Sequence, residues 1–440
     1  MKILYACNRI NIDAGSAPIG TCKFLLTIAE LGHQVRCLTA ESAPLPDPVH
    51  WLPRIPITRV SDLAPDSGWA ARASSVSAGL RVKGSFGKMI ATRAGHLSAF
   101  ATGYDLTALA QIARWRVALR KELARGYDLV FVRAAGVEFF PHLAMIEEAG
   151  STPWIANYHD PYPYSRYPEP YRMVVPVVSA KQDQRHRRIL ASAAAVTFPS
   201  RRLLEWMLAG EFEPVRAKAT VLPHIARELP GVDRAEVSQN VVEPGTFSVI
   251  HAGTLLGARR PGALTEGFHR FVGSDPERLE KARLIFVGGV DRRHRANTEW
   301  QQALQHSCIR IVDHRVSYGE ALAMTRAATA ALVIEAEAEV SPFYPAKLAD
   351  YVYLGKPVIA VSPPASSVYD LLGADYPLLA RAAEAESVTR ALTVLWEAWK
   401  SGNTARLAPP ERLTLQIGTE AARKIFSKLL PEAARGRKQA

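Results

Sequence analysis

The chain has 440 residues, 48% of them hydrophobic and 22% charged, which is typical of a globular protein large enough for two domains. No run of eighteen apolar residues occurs, so no transmembrane helix is expected, and the apolar run from Met1 to Cys7 is too short for a secretory signal. The formal net charge of +12 predicts a phosphate-bearing partner. Because no nucleic-acid-binding motif occurs, we expect an anionic membrane or an anionic substrate, and no nucleic acid.

Four cysteines, Cys7, Cys22, Cys37 and Cys308, show neither C-x-x-C nor metal-site spacing. Three of them fall in apolar strand or helix patterns, which predicts buried thiols in the reduced state. We therefore expect a cytoplasmic protein, with the inner face of the plasma membrane as a place of peripheral contact.

The first elements form a strand–helix–strand unit. Lys2–Cys7 is an apolar strand, a helix is predicted from Thr21 to Leu31, and Gln34–Leu38 is a second strand. This unit predicts a parallel sheet. The loop between strand and helix contains Gly15 and Gly20 but lacks G-x-G-x-x-G, so a plain turn and a ligand-binding loop both stay open.

The segment from Ser67 to Arg125 is rich in small residues and carries many Arg and Lys. Near its end, apolar residues recur at helical spacing with a basic opposite face. Such a helix either packs on the core and leaves its arginines in water, or contacts an anionic bilayer. We expect core packing, and we keep as a hypothesis that the segment contains acceptor-facing and membrane-facing elements.

A further apolar strand is predicted from Trp154 to His159, directly before Asp160. Ligands of open α/β sheets bind at the carboxyl ends of strands, so His159 and Asp160 are candidate site residues. Asp160 precedes a proline and could instead cap a turn.

Ser341 to Ala360 is the most informative stretch. It predicts a helix from Tyr344 to Leu354, with Pro345 at its first position. Lys347 would then lie in the first turn of a helix that has no capping side chain. A cation is unfavourable at a helix start, and an anion bound there would offset this cost. Asp350 lies one turn further on, where it could accept hydrogen bonds from a ribose. An ordinary surface helix with a Lys347–Asp350 pair is an equal alternative.

The pattern P-x-K-L-x-[ED]-Y-x-x-x-G-K-P-V, which runs from Pro345 to Val358, resembles the nucleotide-sugar site of glycosyltransferase family 4. The resemblance implies an α/β protein of the GT-B fold, in which two Rossmann-like parallel-sheet domains face a central cleft. Asp350 stands at the second of two Glu that this family carries, and Pro342 stands in place of the first.

The same resemblance divides the chain into four parts. It implies an acceptor-side domain over residues 1–226, a linker over 227–245, a nucleotide-sugar-binding domain over 246–408, and a helix with a basic tail over 409–440. That last helix, near Leu413 to Leu430, is expected to cross back to the first domain, and the tail from Ala433 is expected to fray.

Roles for individual residues also follow from the resemblance. His159, Asp160, Arg260 and Lys347 are implied to act in catalysis, with Arg260 preferred over Arg259 as the phosphate ligand. The remaining implied substrate-binding residues are Gly15, Gly20, Gly253, Thr254, Arg259, His314, Arg315, Pro345 and Asp350. The family's Arg and Lys side chains neutralise the leaving diphosphate, and guanidinium groups suit this work because their fork matches phosphate oxygens.

The function so implied is a retaining glycosyltransferase that moves a sugar from a nucleotide-diphosphate sugar to a cell-envelope, polysaccharide or lipid-linked acceptor. The chain has no Asp-x-Asp motif, so no metal is implied, and no cofactor is expected. Two alternatives remain: a nucleotide-sugar epimerase of the same fold, and a non-catalytic nucleotide-binding scaffold, which the missing first Glu would explain.

Overall fold

Two parallel β-sheets organise the chain. A computed structural model describes residues 1–41, 55–64, 95–136, 138–232 and 241–436. Three parts of the chain named above therefore lie outside the described residues: residues 67–94 of the basic segment, the middle of the expected linker, and the last four residues of the tail.

The first sheet has seven strands in the order β3-β2-β1-β4-β5-β6-β7, and all of its pairs are parallel. Its strands are β1 (Lys2–Cys7), β2 (Gln34–Thr39), β3 (Ile57–Arg59), β4 (Leu129–Ala134), β5 (Trp154–Tyr158), β6 (Ala195–Phe198) and β7 (Ala219–Val221). The central strands β4 and β5 are buried along their whole length, as expected of apolar runs covered on both faces.

Helices cover both faces of this sheet. They are α1 (Ser16–Glu30), α2 (Val60–Leu63), α3 (Leu106–Leu123), α4 (Phe140–Glu148), α5 (Pro176–Ser192) and α6 (Arg201–Met207), with a further helical stretch over 95–102. Short 3₁₀ turns occur at Ile12–Ala14, Tyr164–Arg166 and Gly210–Lys218.

The second sheet has six parallel strands in the order β10-β9-β8-β11-β13-β15. Its strands are β8 (Phe247–Ala252), β9 (Ala282–Val287), β10 (Ile309–Val312), β11 (Ala330–Ile334), β13 (Val358–Ser362) and β15 (Leu379–Arg381), and a separate pair joins β12 (Val340–Ser341) to β14 (Ala365–Ser366). Its helices are α7 (Gly262–Gly273), α8 (Pro276–Lys281), α9 (Arg292–Arg295), α10 (Thr298–Leu304), α11 (Tyr318–Ala327), α12 (Lys347–Tyr353), α13 (Ser367–Leu372) and α14 (Ala385–Lys400), and a 3₁₀ turn follows at Thr404–Leu407.

The end of the chain returns to the first domain through two helices, α15 (Glu411–Ile417) and α16 (Thr419–Arg435). Phe426 of α16 packs against Phe24 and Phe131, with ring centroids 5.4 and 6.1 Å apart. The expectation of a single helix near Leu413 to Leu430 is therefore wrong, because two helices cover this part of the chain. The expectation that the chain frays from Ala433 is wrong for the described residues, because Ala433 is buried and α16 continues to Arg435. The rest of the tail lies outside the described residues.

Helix α3 packs on the core. Trp115 and Leu119 are buried, while Arg116 and Arg120 both donate to the Glu148 carboxylate at the end of α4. This arrangement favours the core-packing interpretation of the helix over the bilayer-facing one. Among the described ranges, no helix combines the length and the apolar character needed to cross a membrane.

Two helix starts differ from expectation. Helix α1 begins at Ser16, five residues before Thr21, because Pro18 is well placed in a first turn. Helix α12 begins at Lys347, so the expectation that Pro345 is its first residue is wrong. The Leu348 N–H donates to the Pro345 carbonyl at 2.9 Å, and this tight turn precedes the regular helix.

Candidate functional site

The two sheets meet at a shared cleft. A cavity of about 380 Å³, here the interdomain cavity, lies between residues that follow β1 and residues at the carboxyl ends of β8, β9 and β10. Helix α12 closes its floor. Ligands of doubly wound sheets bind at these strand ends, so the interdomain cavity is the candidate substrate site.

Four cationic side chains line the interdomain cavity: Lys23, Arg259, Arg315 and Lys347. Lys23 is paired with Asp350 and Arg315 donates to a backbone carbonyl, so Arg259 and Lys347 form the pair considered first. Lys347 Nζ lies 3.3 Å from His251 Nε2. Burial and the nearby Arg259 lower the pKa of Lys347 to about 7. Within the described part of the chain, no carboxylate is at ion-pair distance from Arg259 or Lys347. The pair is therefore an uncompensated positive centre that faces the cavity.

His251 stays neutral beneath Lys347, because burial first, then Lys347 and Arg259, hold its pKa well below the ordinary value. Its Nδ1 lies 3.2 Å from the Leu332 carbonyl oxygen, which can only accept. The ring proton is thus on Nδ1, and the Nε2 lone pair accepts from the Lys347 ammonium. This contact holds the Lys347 amine at the cavity wall, where a bound anion would favour its protonated form.

Two glycines allow this close approach. Gly253 has φ +145°, and a Cβ at that position would lie 2.6 Å from Lys347 Nζ. Gly288 has φ +125°, and its Cβ would meet the Gly253 carbonyl carbon at 2.8 Å. The loops after β8 and β9 can therefore close over Lys347 only with glycine at both positions.

Arg259 has neighbours that the sequence patterns did not single out. Tyr171 of the first domain lines the same small pocket as Arg259, and the Tyr171 ring packs on Phe343 at 5.2 Å. Glu335, directly after β11, is buried and faces Arg259. It accepts from Ser341 Oγ at 2.6 Å and also from Ser362 Oγ. The sequence could have indicated Glu335, because it is an acidic residue directly after a predicted buried strand. No comparable sequence pattern marks Tyr171.

Burial is the largest influence on the pKa of Glu335. Burial raises its pKa above the ordinary value, although both serine hydroxyls and Arg259 act in the opposite direction. The carboxyl of Glu335 accepts from the two serine hydroxyls, and within the described residues it is not at ion-pair distance from Arg259.

Asp350 pairs across the domains. Its Oδ1 accepts from Lys23 Nζ at 2.6 Å and from the Tyr318 hydroxyl at 2.7 Å. Lys23 also donates to the Ile225 carbonyl oxygen at 3.1 Å. The alternative of a Lys347–Asp350 pair is therefore wrong, because Lys347 turns toward His251 and Lys23 takes its place. Lys23 and Tyr318 are site residues that sequence reasoning missed.

A second contact joins the domains beside the cavity. Arg315 Nη1 donates to the Ala14 carbonyl oxygen at 2.9 Å, and the Tyr318 N–H donates to Asp13 Oδ1 at 2.7 Å. Arg315 lines the interdomain cavity while its guanidinium holds the loop that follows β1. The start of helix α11 is thus fastened to the first domain.

His159 and Asp160 line a second cavity of about 360 Å³, which is formed by first-domain residues alone. It shares Ala14, Gly15 and Ser16 with the interdomain cavity, so the two cavities adjoin. Burial lowers the pKa of His159 to about 4, with Asp160 opposing. The neutral ring accepts at Nδ1 from Arg133 Nη2, 3.0 Å away, which places the ring proton on Nε2.

His224 lies between the two cavities and was also missed. It is 2% exposed, lines the interdomain cavity, and its ring lies 4.7 Å from the rings of His159 and Tyr344. The Tyr344 backbone is near enough to influence its pKa, yet no described group makes a regular hydrogen bond to either ring nitrogen. Because a buried imidazole normally has partners, a ligand is a suitable partner for it.

Most of the expected substrate-binding residues lie together. Those that line the interdomain cavity are Gly15, Gly20, Gly253, Thr254, Arg259, Arg315, Lys347 and Asp350. Arg260 and His314 are exposed, and neither they nor Pro345 line it. The loop after β8 therefore presents Arg259 to the cavity and not the preferred Arg260. The described residues contain no cluster of His, Cys, Asp and Glu able to hold a metal ion.

Two facing Rossmann-like sheets with a cleft at their carboxyl ends define the GT-B fold, and solved structures share it. HepE from Anabaena, in complex with UDP and glucose, is 11% identical with a TM-score of 0.63 and covers 98% of this chain and 99% of its own. The α,α-trehalose-6-phosphate synthase of Burkholderia multivorans is 13% identical with a TM-score of 0.62, over 98% and 99%.

A third similar structure is the α,α-trehalose-phosphate synthase (UDP-forming) of Burkholderia xenovorans in complex with glucose-6-phosphate. It is 11% identical with a TM-score of 0.61 and covers 98% of this chain and all of its own. No protein-family model matches the chain, and no curated protein sequence matches it. The GT-B fold expected from the sequence is confirmed, and membership of glycosyltransferase family 4 stays a prediction.

Proposed function

We propose that the protein is a glycosyltransferase that takes its sugar from a nucleotide-diphosphate sugar. The observation that carries the proposal is the uncompensated positive centre of Arg259 and Lys347 between the two domains. Structures of similar fold were solved with UDP, UDP-glucose and UDP-2-fluoro glucose, which supports a donor of this class.

The donor's parts have distinct partners in this proposal. The diphosphate binds to Arg259 and Lys347, whose positive charges match the negative charge of its oxygens. Asp350 meets the ribose, with its orientation set by Lys23 and Tyr318. The base lies toward Arg315 and Val316, at the end of the cavity that follows β10.

Sugar transfer breaks the bond between the anomeric carbon and a phosphate oxygen. Negative charge grows on the departing diphosphate, and fixed cations stabilise this charge most strongly in a site that excludes water. We propose retention of the anomeric configuration: the acceptor hydroxyl attacks from the side that the leaving group vacates, and a phosphate oxygen takes its proton. His224 would contact the donor sugar from the first domain, and His159 in the adjoining second cavity would meet it from the acceptor side.

The acceptor is proposed to be a cell-envelope, polysaccharide or lipid-linked glycan, reached from the cytoplasm by an enzyme of glycosyltransferase family 4. The net charge of +12 supports contact with an anionic membrane face. Co-sedimentation with vesicles that contain phosphatidylglycerol tests this contact. Vesicles that leave the protein in the supernatant would reject it.

A thermal-shift screen against UDP-, GDP-, ADP- and dTDP-sugars, followed by an assay of sugar release from the stabilising donor, tests the proposed activity. Lys347→Ala should slow donor turnover at least tenfold, equal to about 1.4 kcal/mol of barrier. Unchanged turnover in this variant would contradict the proposal. Conversion of the donor alone into an isomer would identify an epimerase, and nucleotide binding without any turnover would identify a scaffold.

A further inference from the structure

We infer that the second cavity, lined by Arg133, His159 and Asp160, holds the acceptor, and that Arg133 binds a phosphate or carboxylate carried by it. This inference rests on the proposed sugar transfer, because it assigns a substrate class to the partner of the donor. The second cavity adjoins the interdomain cavity at Gly15 and Ser16. An acceptor in the second cavity would therefore lie next to a donor in the interdomain cavity.

Arg133 is a buried cation whose partners are both neutral. Its side chain is 3% exposed, Nη1 donates to Asn157 Oδ1 at 2.6 Å, and Nη2 donates to His159 Nδ1 at 3.0 Å. In the ranges that the structure describes, no carboxylate lies at ion-pair distance from it. A buried charge without a counter-ion is costly, so an anionic ligand would stabilise this site.

The carboxylates of the second cavity are engaged elsewhere. Asp160 acts on Arg133 only over a longer distance, and its Oδ2 accepts from the Gly136 N–H at 2.8 Å. Glu138 faces Arg9 at 3.6 Å, and the side chains of both are about half exposed. The interior around Arg133 is consequently the positive end of the cavity.

The hydrogen-bonding groups at this end are donors. A guanidinium has N–H groups only, and His159, which accepts from Arg133 at Nδ1, has its remaining proton on Nε2. Phosphate and ionised carboxylate oxygens are acceptors, so they match this end better than hydroxyl groups do.

The structure also holds the guanidinium in place. The Arg133 guanidinium carbon lies 4.7 Å from the Phe24 ring centroid, and a Cβ at position 20 would lie 2.7 Å from its Nη2. Gly20 therefore leaves the space that the guanidinium occupies. The position of the Arg133 guanidinium therefore explains why residue 20, in helix α1 beside both cavities, is a glycine.

The test is binding of glucose 6-phosphate, glucuronate and glucose to the full chain saturated with UDP, measured by isothermal titration. At least one of the two charged sugars should bind about tenfold or more tightly than glucose. Tighter binding of glucose 6-phosphate would identify the anionic group as a phosphate, and tighter binding of glucuronate would identify it as a carboxylate. Arg133→Met should remove the preference, and Arg133→Lys should keep part of it. Gly20→Ala, which displaces the guanidinium, gives the same readout where Arg133→Met does not fold.

Charged sugars that bind no tighter than glucose, or a preference that survives in Arg133→Met, overturn the inference. UDP binding is measured in the same samples. UDP binding without the preference rejects the anionic acceptor alone, whereas an unaltered protein that binds none of UDP, GDP, ADP and dTDP rejects the proposed function itself.

Discussion

Lys23 Nζ in the first domain lies 2.6 Å from Asp350 Oδ1 in the second, and both side chains are almost fully removed from solvent. The pair spans the floor of the interdomain cavity. Because the Tyr318 hydroxyl donates to the same oxygen, one side chain from each domain donates to the Asp350 carboxylate. The closure of the two domains and the orientation of Asp350 are therefore coupled.

Removing one partner of this pair should be costly. Lys23→Met leaves the Asp350 charge buried and unpaired, so we expect the free energy of unfolding to fall by about 3–5 kcal/mol in urea titrations. Asp350→Asn should have an effect of similar size, and the double variant should lose less than the sum.

The control for this prediction is Arg202→Gln. Arg202 also pairs across the domains, with Asp370 at 2.7 Å, but the pair is partly exposed to solvent. Its loss should cost less than about 1 kcal/mol. Equal losses in Arg202→Gln and Lys23→Met would show that burial does not set the strength of the Lys23–Asp350 contact.

Lys347 should make UDP binding depend on pH. Its pKa of about 7 lies below the ordinary 10.5, so binding of a diphosphate requires uptake of a proton above pH 7. UDP affinity should fall by up to about tenfold per pH unit between pH 7.5 and 9, where the UDP phosphate is already ionised.

Titration calorimetry in buffers of different ionisation enthalpy measures this proton uptake directly. Lys347→Met should abolish both the proton uptake and the pH slope. Folding stability of the protein without ligand should change with pH in the opposite direction from UDP affinity. Between pH 7 and 10.5 Lys347 is protonated in the unfolded chain but mostly neutral in the folded one, so the free energy of unfolding should rise with pH there. A slope that persists in Lys347→Met would assign it to another group.

Gly253→Ala should disrupt the phosphate site. The added Cβ would lie 2.6 Å from Lys347 Nζ and would occupy a backbone conformation with φ +145°. We expect UDP affinity to fall about tenfold or more. Gly289→Ala, at a nearby position where a Cβ meets nothing within 4 Å, should bind UDP normally. Equal affinities for the two variants would contradict the assignment.

Glu335 should tolerate loss of its charge but not of its hydrogen bonds. Glu335→Gln keeps partners for Ser341 and Ser362, so its stability at pH 7 should equal or exceed that of the unaltered protein. Glu335→Ala leaves the hydroxyls unpaired and should cost about 1–3 kcal/mol.

The pH dependence gives a second readout for Glu335. Because the folded-state pKa is raised, this carboxyl stabilises the fold below its ordinary pKa of 4.5, and that contribution is lost as pH rises through the folded value. Glu335→Gln should remove this part of the pH dependence, as followed by thermal unfolding. A Glu335→Gln variant as unstable as Glu335→Ala at pH 7 would show that the charge is needed.

Local patterns predicted the sheets and much of the cavity wall. The apolar runs that end at Cys7 and Ala252 are strands, and the residues that follow them line the cleft because parallel strands present their carboxyl ends to it. The choice between Arg259 and Arg260 depended on loop geometry, which a motif does not specify. The contact of Lys23 with Asp350 joins residues 327 positions apart, so no local pattern could reveal it.

Binding of UDP to Arg259→Met, Lys347→Met and Arg260→Met, measured by isothermal titration beside the unaltered protein, tests the central claim most directly. Arg259 and Lys347 line the interdomain cavity and Arg260 does not. Each of the first two variants should lose about tenfold or more in affinity for UDP but not for uridine, while Arg260→Met should bind both as the unaltered protein does. UDP affinities that are equal in all four proteins would contradict a diphosphate site at Arg259 and Lys347.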